Sequence, residues 1–154
     1  MTSFPFYTNV SLVVNNVVYT VMDCIFCKIC AHEAFGRIVY QDNVVSCFLP
    51  LDMEVYGHLL VVPNKHYENI FDIPENELEH IIKFAKRASL SLQKSLNATG
   101  VNILHASGKS AQQSVPHFHI HIFPRFDNDG IDAWPKIEKQ QYDADEILQK
   151  IKIL

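Results

Sequence analysis

Polar and apolar side chains alternate most regularly between Val115 and Arg125. Three histidines alternate there with three apolar residues, in the order His117, Phe118, His119, Ile120, His121 and Ile122. Because successive side chains of a β-strand point to opposite faces, the alternation predicts a strand that extends over this stretch. The histidines would share one face, and the other face would be an apolar surface for the core.

Four other runs of residues predict strands. Arg37–Tyr40 and Val44–Phe48 flank Gln41–Asn43, whose Asp-Asn pair is typical of a tight turn, so the two runs predict a hairpin. Tyr56–Val62 predicts a strand that ends before a proline, and Val101–Leu104 predicts another. Together these runs indicate strands in antiparallel succession.

One long helix is predicted between Asp72 and Gly100. Asp72 is a candidate N-cap, Pro74 suits the first turn, and Glu75 would lie near the positive end of the helix dipole. Asn97 and Gly100 provide the stop. The apolar residues of this helix recur as one stripe: Leu78, Ile81, Ile82, Ala85, Ala88, Leu92 and Leu96.

A shorter helix is predicted after Asp143, which can cap it together with Glu146. Its apolar face would consist of Ile147, Leu148, Ile151 and Leu154. Between Phe26 and Phe35 the apolar residues have no clean period and predict a short helix or a turn. Antiparallel strands with one long inserted helix and a C-terminal helix predict an α+β fold.

Length and composition favour a single domain. The 154 residues, of which 48% are hydrophobic, can bury roughly two thirds of the surface that the unfolded chain exposes. Residues 1–21 are rich in Thr, Asn and Val, and Met22 follows them directly before Asp-Cys-Ile-Phe-Cys. We therefore interpret residues 1–21 as an N-terminal extension, either outside the working protein or an added strand. Residues 22–154 are interpreted as one domain.

Charge and hydropathy argue against two kinds of partner. The net charge is −4, from 13 basic and 17 acidic residues, and no basic run occurs, which disfavours nucleic acid and anionic membrane surfaces. The longest apolar runs, Val10–Val14 and Gly57–Val62, are far shorter than the roughly 20 residues of a membrane helix. The sequence predicts a cytoplasmic protein with a small-molecule or protein partner.

The cysteines point to a metal or redox pair. Cys24, Cys27 and Cys30 lie within seven residues, and Cys47 follows later. In a chain without a convincing secretory signal, Cys-x-x-Cys is more often a metal or redox pair than a structural disulfide, which indicates a reducing compartment. We interpret Cys30 and Cys47 as core residues.

The histidine face allows three interpretations. It can be a coincidental polar face, or a zinc site, since strand histidines spaced by two are good ligands. It can also serve nucleophilic catalysis, in which one imidazole attacks an electrophile while its neighbours donate hydrogen bonds to the developing charge. The spacing alone does not separate the last two.

Three stretches resemble the histidine triad (HIT) family. Gln113–Arg125 resembles its signature, His-φ-His-φ-His-φ-φ, in which φ is apolar. Asp23–Ile29 resembles the start of the bacterial-type members, and Gly57–Tyr67 resembles their Gly-His…Pro-Lys-Lys-His segment. The resemblance covers about Asp23 to Arg125, and it implies a homodimer with a HIT-like antiparallel sheet.

The resemblance also implies an activity. Many members hydrolyse or transfer at the α-phosphorus of a nucleoside phosphate derivative, such as a phosphoramidate or a dinucleoside polyphosphate, and the expected substrate is a purine nucleoside phosphate. By position in the signature, His119 is the nucleophile that forms a nucleotidyl-histidine, and His121 stabilises the phosphate. Ser114 matches a position that contacts the leaving group, and Gln113 matches a polar position beside the phosphate. No organic cofactor is expected.

Other residues near the signature take supporting roles in this interpretation. His58 matches a position that can orient the triad by a hydrogen bond. Phe26 and Phe48 are candidates for the base pocket, with plain core as the alternative. His117 is a candidate both for substrate contact and for metal binding. The remaining histidines, His32, His80 and His105, are expected in solvent or in loops.

A zinc site is implied as well. Cys24 and Cys27 with His66 and His117 make a closed tetrahedral set of two sulfurs and two nitrogens, which is typical of structural zinc. The matching positions of bacterial-type members hold zinc. The alternative is that Cys24 and Cys27 are small buried residues.

The chain departs from the family pattern at three positions around the nucleotide. Pro50 stands where an acidic residue usually binds the ribose hydroxyls, and Asp52 is a weak substitute because it is offset by two residues. Gln112 replaces a common glycine, and Ala106 replaces the asparagine of Asn-x-Gly. Two alternatives to a hydrolase therefore stay open: a nucleotide-binding or adaptor module with incidental hydrolysis, and a metalloenzyme with zinc on all three triad histidines.

Overall fold

The computed structural model describes residues 10–14, 17–21, 24–134 and 136–151. Strands β1 (Val10–Val14) and β2 (Val17–Val21) pair antiparallel in a two-stranded sheet of their own. This hairpin lies inside the predicted N-terminal extension. The division of the chain at Met22 stays a prediction.

Five strands form the main sheet: β3 (Arg37–Gln41), β4 (Val45–Leu49), β5 (Leu59–Pro63), β6 (Gly100–Leu104) and β7 (Ile120–Arg125). All neighbours are antiparallel, and their spatial order is β3-β4-β5-β7-β6. Because β7 lies between β5 and β6, His121 is brought to the interior of the sheet rather than to its edge, and the other two histidines directly precede this strand. The predicted α+β fold with an antiparallel sheet is confirmed.

The predicted β3–β4 hairpin is present, and Asp42 builds its turn. The Oδ1 atom of Asp42 accepts hydrogen bonds from the backbone N–H groups of Val44 and Val45, each at 2.8 Å. An aspartate side chain that bonds the backbone two residues ahead is a common way to close a turn. His80, expected in solvent or a loop, instead lies on the long helix and binds Asp42 at 2.8 Å.

The long helix is α2 (Glu75–Leu96), and its predicted stripe is largely correct. The stripe residues Ile81, Ala85, Ala88 and Leu92 are buried, but Ile82 is 49% exposed and Phe84 is buried instead. Together with apolar residues of β4, β5 and β7 they form the larger of two core clusters. One face of the sheet is therefore covered by α2.

The predicted cap of α2 is wrong, although the stop is right. Asp72 does not cap the helix; its carboxylate accepts hydrogen bonds from the N–H groups of Glu68 and Asn69, both at 2.8 Å, and so closes the preceding loop. Pro74 takes the N-cap position without a side-chain bond. Asn97 ends the helix in the left-handed conformation, with φ 57°.

The opposite face of the sheet is covered by the short helix α1 (Ile25–Cys30). Phe26, Ile29 and Cys30 pack there against inward-facing residues of β4 and β5, among them Phe48 and Leu60, in a second core cluster. Cys47 is buried in the cluster under α2. The interpretation of Cys30 and Cys47 as core residues is thus confirmed.

Two predicted strands begin later than their sequence patterns indicate. The strand expected from Tyr56 begins at Leu59, because Gly57 adopts a left-handed φ of 78° and His58 N–H bonds Val55 O in a turn. A Cβ atom on Gly57 would lie 2.6 Å from Cδ1 of Leu96, so the turn also packs closely on α2.

The strand expected from Val115 begins at Ile120. Pro116 has no N–H group to contribute to a ladder. The N–H of Phe118 instead bonds the backbone oxygen of Tyr67 at 2.6 Å, outside the paired strands. The alternation of side chains nevertheless extends to the residues before the strand, because Phe118 belongs to the same cluster under α2 as Ile120 and Ile122.

The C-terminal helix is α3 (Ala144–Lys150), capped as predicted by Asp143, whose side chain accepts from the N–H groups of Asp145 and Glu146. Ile147, Leu148 and Ile151 are exposed, and Leu154 lies outside the described residues. In the part of the chain that the structure describes, no helix is both long and apolar enough to span a bilayer.

Candidate functional site

The triad histidines meet Phe26 and the cysteines on the sheet face that α1 covers. The ring of Phe26 in α1 contacts His119 edge-on, with centroids 5.3 Å apart, and lies 5.8 Å from His117. The His119 and His121 rings are 5.0 Å apart. The predicted division of the stretch into a histidine face and an apolar face is therefore realised in space.

His117 turns away from the other two histidines toward the cysteines of α1. It is fully buried, and its Nδ1 lies 3.3 Å from Sγ of Cys24 and 3.5 Å from Sγ of Cys27. His66, from the loop after β5, completes the group with its Nδ1 3.4 Å from Sγ of Cys27. The structure thus brings together all four residues that the sequence named as metal ligands.

These four residues fit a zinc ion by chemistry and by spacing. One ligand atom from each lies within 4.8 Å of the other three. Tetrahedral zinc with Zn–S bonds of about 2.3 Å and Zn–N bonds of about 2.0 Å separates its ligands by roughly 3.5 Å. The Nε2 atom of His117 is 3.0 Å from the backbone oxygen of Pro63, which can only accept, so Nε2 carries the proton and Nδ1 is left free to bind a metal.

The protonation of this cluster follows from its burial. Burial, and next the neighbouring Cys24, raise the pKa of Cys27 to about 12. Burial lowers the pKa of His117 to about 4 and also lowers the pKa of His66. The imidazoles are therefore neutral, as ligation requires, whereas the Cys27 thiolate needs a cation beside it.

His119 has one free nitrogen that faces the site. Its Nδ1 lies 2.7 Å from the backbone oxygen of His117, an acceptor, so the proton resides on Nδ1 and the lone pair on Nε2. Burial is the largest cause that lowers the pKa of His119, to about 4, although the hydrogen bond to the His117 oxygen acts to raise it. A buried neutral imidazole with an uncommitted lone pair has the properties of a nucleophile.

His121 is held by His58, as the sequence suggested. Nε2 of His58 lies 2.9 Å from Nδ1 of His121, and the rings stack with centroids 5.1 Å apart. His58 Nδ1 is buried without a partner among the described residues. Because an orphaned N–H is rarer than an orphaned lone pair, we assign the proton to Nε2 of His58. Nδ1 of His121 then accepts the hydrogen bond from the Nε2–H of His58, and the proton of His121 resides on its own Nε2.

The metalloenzyme alternative requires all three triad histidines around one ion. Among the described residues, one cluster of potential ligands occurs, and only His117 of the triad belongs to it. His119 and His121 have Nδ1 atoms committed to a backbone oxygen and to His58. The arrangement therefore does not support zinc on the triad.

Gln113 and Ser114 lie in the loop before β7. The amide of Gln113 is occupied by the backbone: it accepts from Gly108 N–H at 2.7 Å and donates to the oxygens of Glu68 and Val115 at 2.6 and 2.9 Å. Ser114 is exposed. In this arrangement Gln113 shapes the loop, and the Ser114 hydroxyl is accessible to a ligand.

The remaining candidates separate into core and loop positions. Phe48 is 1% exposed and belongs to the core, whereas Phe26 joins that core to the histidines. Gln112, at the common glycine position, adopts a left-handed φ of 65°, so the loop keeps the backbone conformation that glycine prefers. Asp52 is exposed in the loop after β4.

An apolar cavity of about 610 Å³ lies on the other face of the sheet. It is bounded by α2, β3 and β4 and is lined by residues that include Tyr40, Phe84 and Leu92. None of the triad histidines lines this cavity. Its location separates it from the histidine site.

His105 is exposed in a loop, as the sequence predicted, but its contact with the histidine site was not predicted. This residue follows β6 directly, and its Nδ1 lies 2.7 Å from the backbone oxygen of His119. The pairing of β6 with β7 is what brings it there. The position of His105 at the end of a strand is the only signal in the sequence, and it does not tell which strand lies beside it.

Comparison with known proteins places these residues in a family context. The HIT domain family model matches residues 31–128. An uncharacterized HIT-like protein of Methanocaldococcus jannaschii is 41% identical over 129 residues, which are 84% of this chain and 98% of that protein.

Two further similarities bear on activity and metal. The adenosine 5′-monophosphoramidase of Saccharomyces cerevisiae is 33% identical over 75% of this chain and 72% of its own length. A zinc-bound histidine triad family protein of Mycobacterium smegmatis has a crystal structure that matches with a TM-score of 0.70 and 29% identity, over 76% of this chain and 85% of that one.

Proposed function

This chain belongs to the HIT domain family, and on that premise we propose that it is a nucleotide hydrolase or phosphoramidase with His119 as its nucleophile. The observation that carries the proposal is the 2.7 Å distance between Nδ1 of His119 and the His117 oxygen. Because that oxygen only accepts, the proton is assigned to Nδ1, which leaves the Nε2 lone pair for attack. The yeast phosphoramidase, a relative by sequence, supports the reaction class.

In the proposed reaction, Nε2 of His119 attacks the α-phosphorus of a nucleoside phosphate derivative. The bond from phosphorus to the leaving amine or phosphate breaks as the phosphorus–nitrogen bond forms, which gives a nucleotidyl-histidine. Water then attacks the phosphorus and gives a proton to Nε2 of His121, which has passed its own proton to the leaving group, and His119 leaves with its lone pair restored. The products are the free leaving group and a nucleoside monophosphate.

His121 is proposed as the proton donor. With Nδ1 of His121 accepting from His58, the Nε2–H of His121 is available to a phosphate oxygen or to the leaving group. Its ring lies 5.0 Å from the nucleophile, centroid to centroid, so the donor and the lone pair share one site. Ser114 is proposed to contact the leaving group, Gln113 to order the phosphate loop, and Phe26 to border the base.

We propose that zinc at Cys24, Cys27, His66 and His117 is structural. All four side chains are supplied by the protein, which closes the coordination sphere. The zinc-bound relative supports the assignment. When bound, the ion would hold two thiolates and two neutral imidazoles together and thereby fix α1 to the sheet. His117 then has both nitrogens occupied, so its proposed role is at the metal rather than at the substrate.

The proposal includes a homodimer that acts on a purine nucleoside phosphate in the cytoplasm. Exposed apolar residues of α2 and of the edge strand β6 offer surface for self-association; they are Ile82, Leu90, Val101 and Ile103.

The test is cleavage of adenosine 5′-phosphoramidate. The wild-type protein should release AMP, and His119→Ala should lower kcat at least about a thousandfold because the nucleophile is gone. A quenched reaction should carry the nucleotide on His119, detected by mass spectrometry of the peptide. His32→Asn, at an exposed histidine bonded to Gln41, is the control and should retain full activity.

Full activity of His119→Ala would contradict the assignment of the nucleophile. Binding of AMP without any turnover would instead favour the nucleotide-binding or adaptor alternative.

A further inference from the structure

His105 lies in a chain of hydrogen bonds that ends on the nucleophile's own backbone. The N–H of Ile70 donates to Oγ of Ser107 at 2.9 Å, and the Ser107 hydroxyl lies 2.6 Å from Nε2 of His105. Nδ1 of His105 lies 2.7 Å from the oxygen of His119. Because a carbonyl only accepts, Nδ1 carries the proton and Nε2 accepts from Ser107, so one tautomer satisfies every bond.

The backbone of His119 requires a donor of this kind. The ladder between β6 and β7 ends at the pair Leu104 and His121, so β6 offers no paired backbone N–H to the carbonyl of His119. His119 is 2% exposed, and a buried carbonyl without a donor is costly. The side chain of the first residue after β6 supplies the missing bond.

The ring of His105 is itself held in place. It packs on the ring of Phe118, with centroids 4.4 Å apart and planes inclined by 32°. Phe118 is 1% exposed and belongs to the core under α2. The imidazole therefore has a fixed plane on the core side and a fixed partner, Ser107, on the loop side.

The same chain joins the histidine site to the loop before α2. Ser107 is bonded to Ile70, and Gln113 is bonded to the oxygen of Glu68, so two contacts fasten the loop before β7 to residues 68–70. Asp72 closes that second loop through its bonds to Glu68 and Asn69. His105 thus connects a fastened pair of loops to the main chain of His119.

We infer that His105 is a positioning residue for the reaction, because its Nδ1–H holds the His119 carbonyl and thereby the direction of His119 Nε2. This inference rests on the proposed function of His119. With Nδ1 of His119 bonded to the His117 oxygen, the His105 bond fixes the other end of the same residue. A displacement of a reacting group by about 1 Å can lower a rate about a hundredfold, so the second anchor matters for attack.

Three substitutions separate this role from simple packing. The amide nitrogen of Asn is two bonds from Cβ, as Nδ1 is, so His105→Asn keeps a donor for the His119 carbonyl. The amide of Gln is three bonds away, as Nε2 is, so His105→Gln keeps a partner for Ser107 but loses that donor. His105→Ala loses both bonds. His32→Asn repeats the asparagine substitution at an exposed histidine that bonds Gln41 and serves as the control.

The expected result is a loss in kcat that follows the Nδ1 donor. With adenosine 5′-phosphoramidate, His105→Gln and His105→Ala should lower kcat about tenfold and leave KM within about twofold, since ground-state binding is untouched. His105→Asn should stay within about threefold of wild type, and His32→Asn should equal it. Wild-type kcat in both the Gln and Ala variants overturns the inference, as does an equal loss in His105→Asn and His105→Ala.

A second measurement does not depend on turnover. The ¹³C resonance of the His119 carbonyl reports its hydrogen bond, and it should move in the Gln and Ala variants and stay in the Asn variant. No movement in His105→Ala overturns the inference, whatever the activity. A wild-type protein that releases no AMP contradicts the proposed function instead, and the carbonyl resonance then decides alone whether His105 holds His119.

Discussion

Backbone carbonyls decide the proton positions of the site histidines. His117, His119 and His105 each direct one ring nitrogen at a main-chain oxygen, of Pro63, His117 and His119 in that order. Because each such oxygen can only accept, the opposite nitrogen is deprotonated and free for another task. The three imidazoles thus differ in which nitrogen is available, which fits the three roles proposed for them: metal ligand for His117, nucleophile for His119 and anchor for His105.

The burial of His58 predicts that the stability of the folded protein depends on pH. Burial, and next the neighbouring His121 and His119, lower the pKa of His58 to about 4 in the folded protein, whereas an unfolded histidine titrates near 6.5. Between these values the unfolded chain binds the additional proton. The contribution of His58 to stability is therefore intact above about pH 6.5 and is lost as the pH falls toward 4.

His58→Asn should reduce this loss by on the order of 2 kcal/mol, since asparagine does not titrate. Urea unfolding of both proteins between pH 4 and 7.5 measures the difference. His32→Asn should keep the wild-type pH dependence, because this histidine lies outside the site. Identical pH dependence in His58→Asn and wild type would show that His58 does not titrate as the structure indicates.

At the scale of elements, we expect the proposed zinc site to help attach α1 to the sheet. The helix has six residues, too few to be stable alone, and the cluster joins its start to His66 and His117. Its apolar residues add packing against β4 and β5. Since Phe26 of α1 also borders His119, the position of this helix bears on the histidine site.

Cys24→Ser should therefore lose bound zinc and destabilise the protein. The free energy of unfolding should fall by about 3 kcal/mol or more when free zinc stands a hundredfold above its Kd. Metal analysis and urea unfolding, with and without a chelator, measure both effects. Cys30→Ser is the matched control, because Cys30 is a buried cysteine of the same helix that lies outside the cluster.

The control should keep its zinc and its response to the chelator. Unchanged zinc content in Cys24→Ser, or an equal loss in Cys30→Ser, would refute the proposed metal site.

At the scale of the whole molecule, the sheet separates two surfaces. One carries α1, the metal cluster and the histidines, and the other carries α2 and the apolar cavity. Strand β7 and the residues directly before it contribute to both, with histidines on the first surface and apolar residues on the second. The β1–β2 hairpin adds no strand to the main sheet, because its two strands pair with each other.

A chain that starts at Met22 should therefore keep the fold, the zinc and the cleavage of adenosine 5′-phosphoramidate. An isolated two-stranded hairpin is marginally stable, so its removal should change the free energy of unfolding by less than about 1 kcal/mol. Urea unfolding, metal analysis and the AMP assay on both chains measure this. A shortened chain that fails to fold, or that loses its zinc, would show that the hairpin is part of the domain.

The sequence by itself determined the features that depend on local periodicity. Alternation with period two separated His119 from Phe118 and Ile120, and the 3.6-residue period located α2. The HIT signature and the Cys-x-x-Cys pair named the nucleophile candidate and the ligand set, because these residue types carry their chemistry wherever the fold places them. Both the α+β fold and the family were within reach on this basis.

The structure decided several polar partners that the local sequence pattern did not predict. Asp72 lies two residues before Pro74, the N-cap residue of α2, but its carboxylate closes a loop instead of capping the helix. The strand begins at Ile120 because side-chain imidazoles and the Tyr67 oxygen take the backbone bonds before it. His105 reaches His119, 14 residues later, only through the pairing of β6 with β7. The bonds of His105 to His119 and of Phe118 to Tyr67 follow from distance in space, which a local pattern along the chain does not encode.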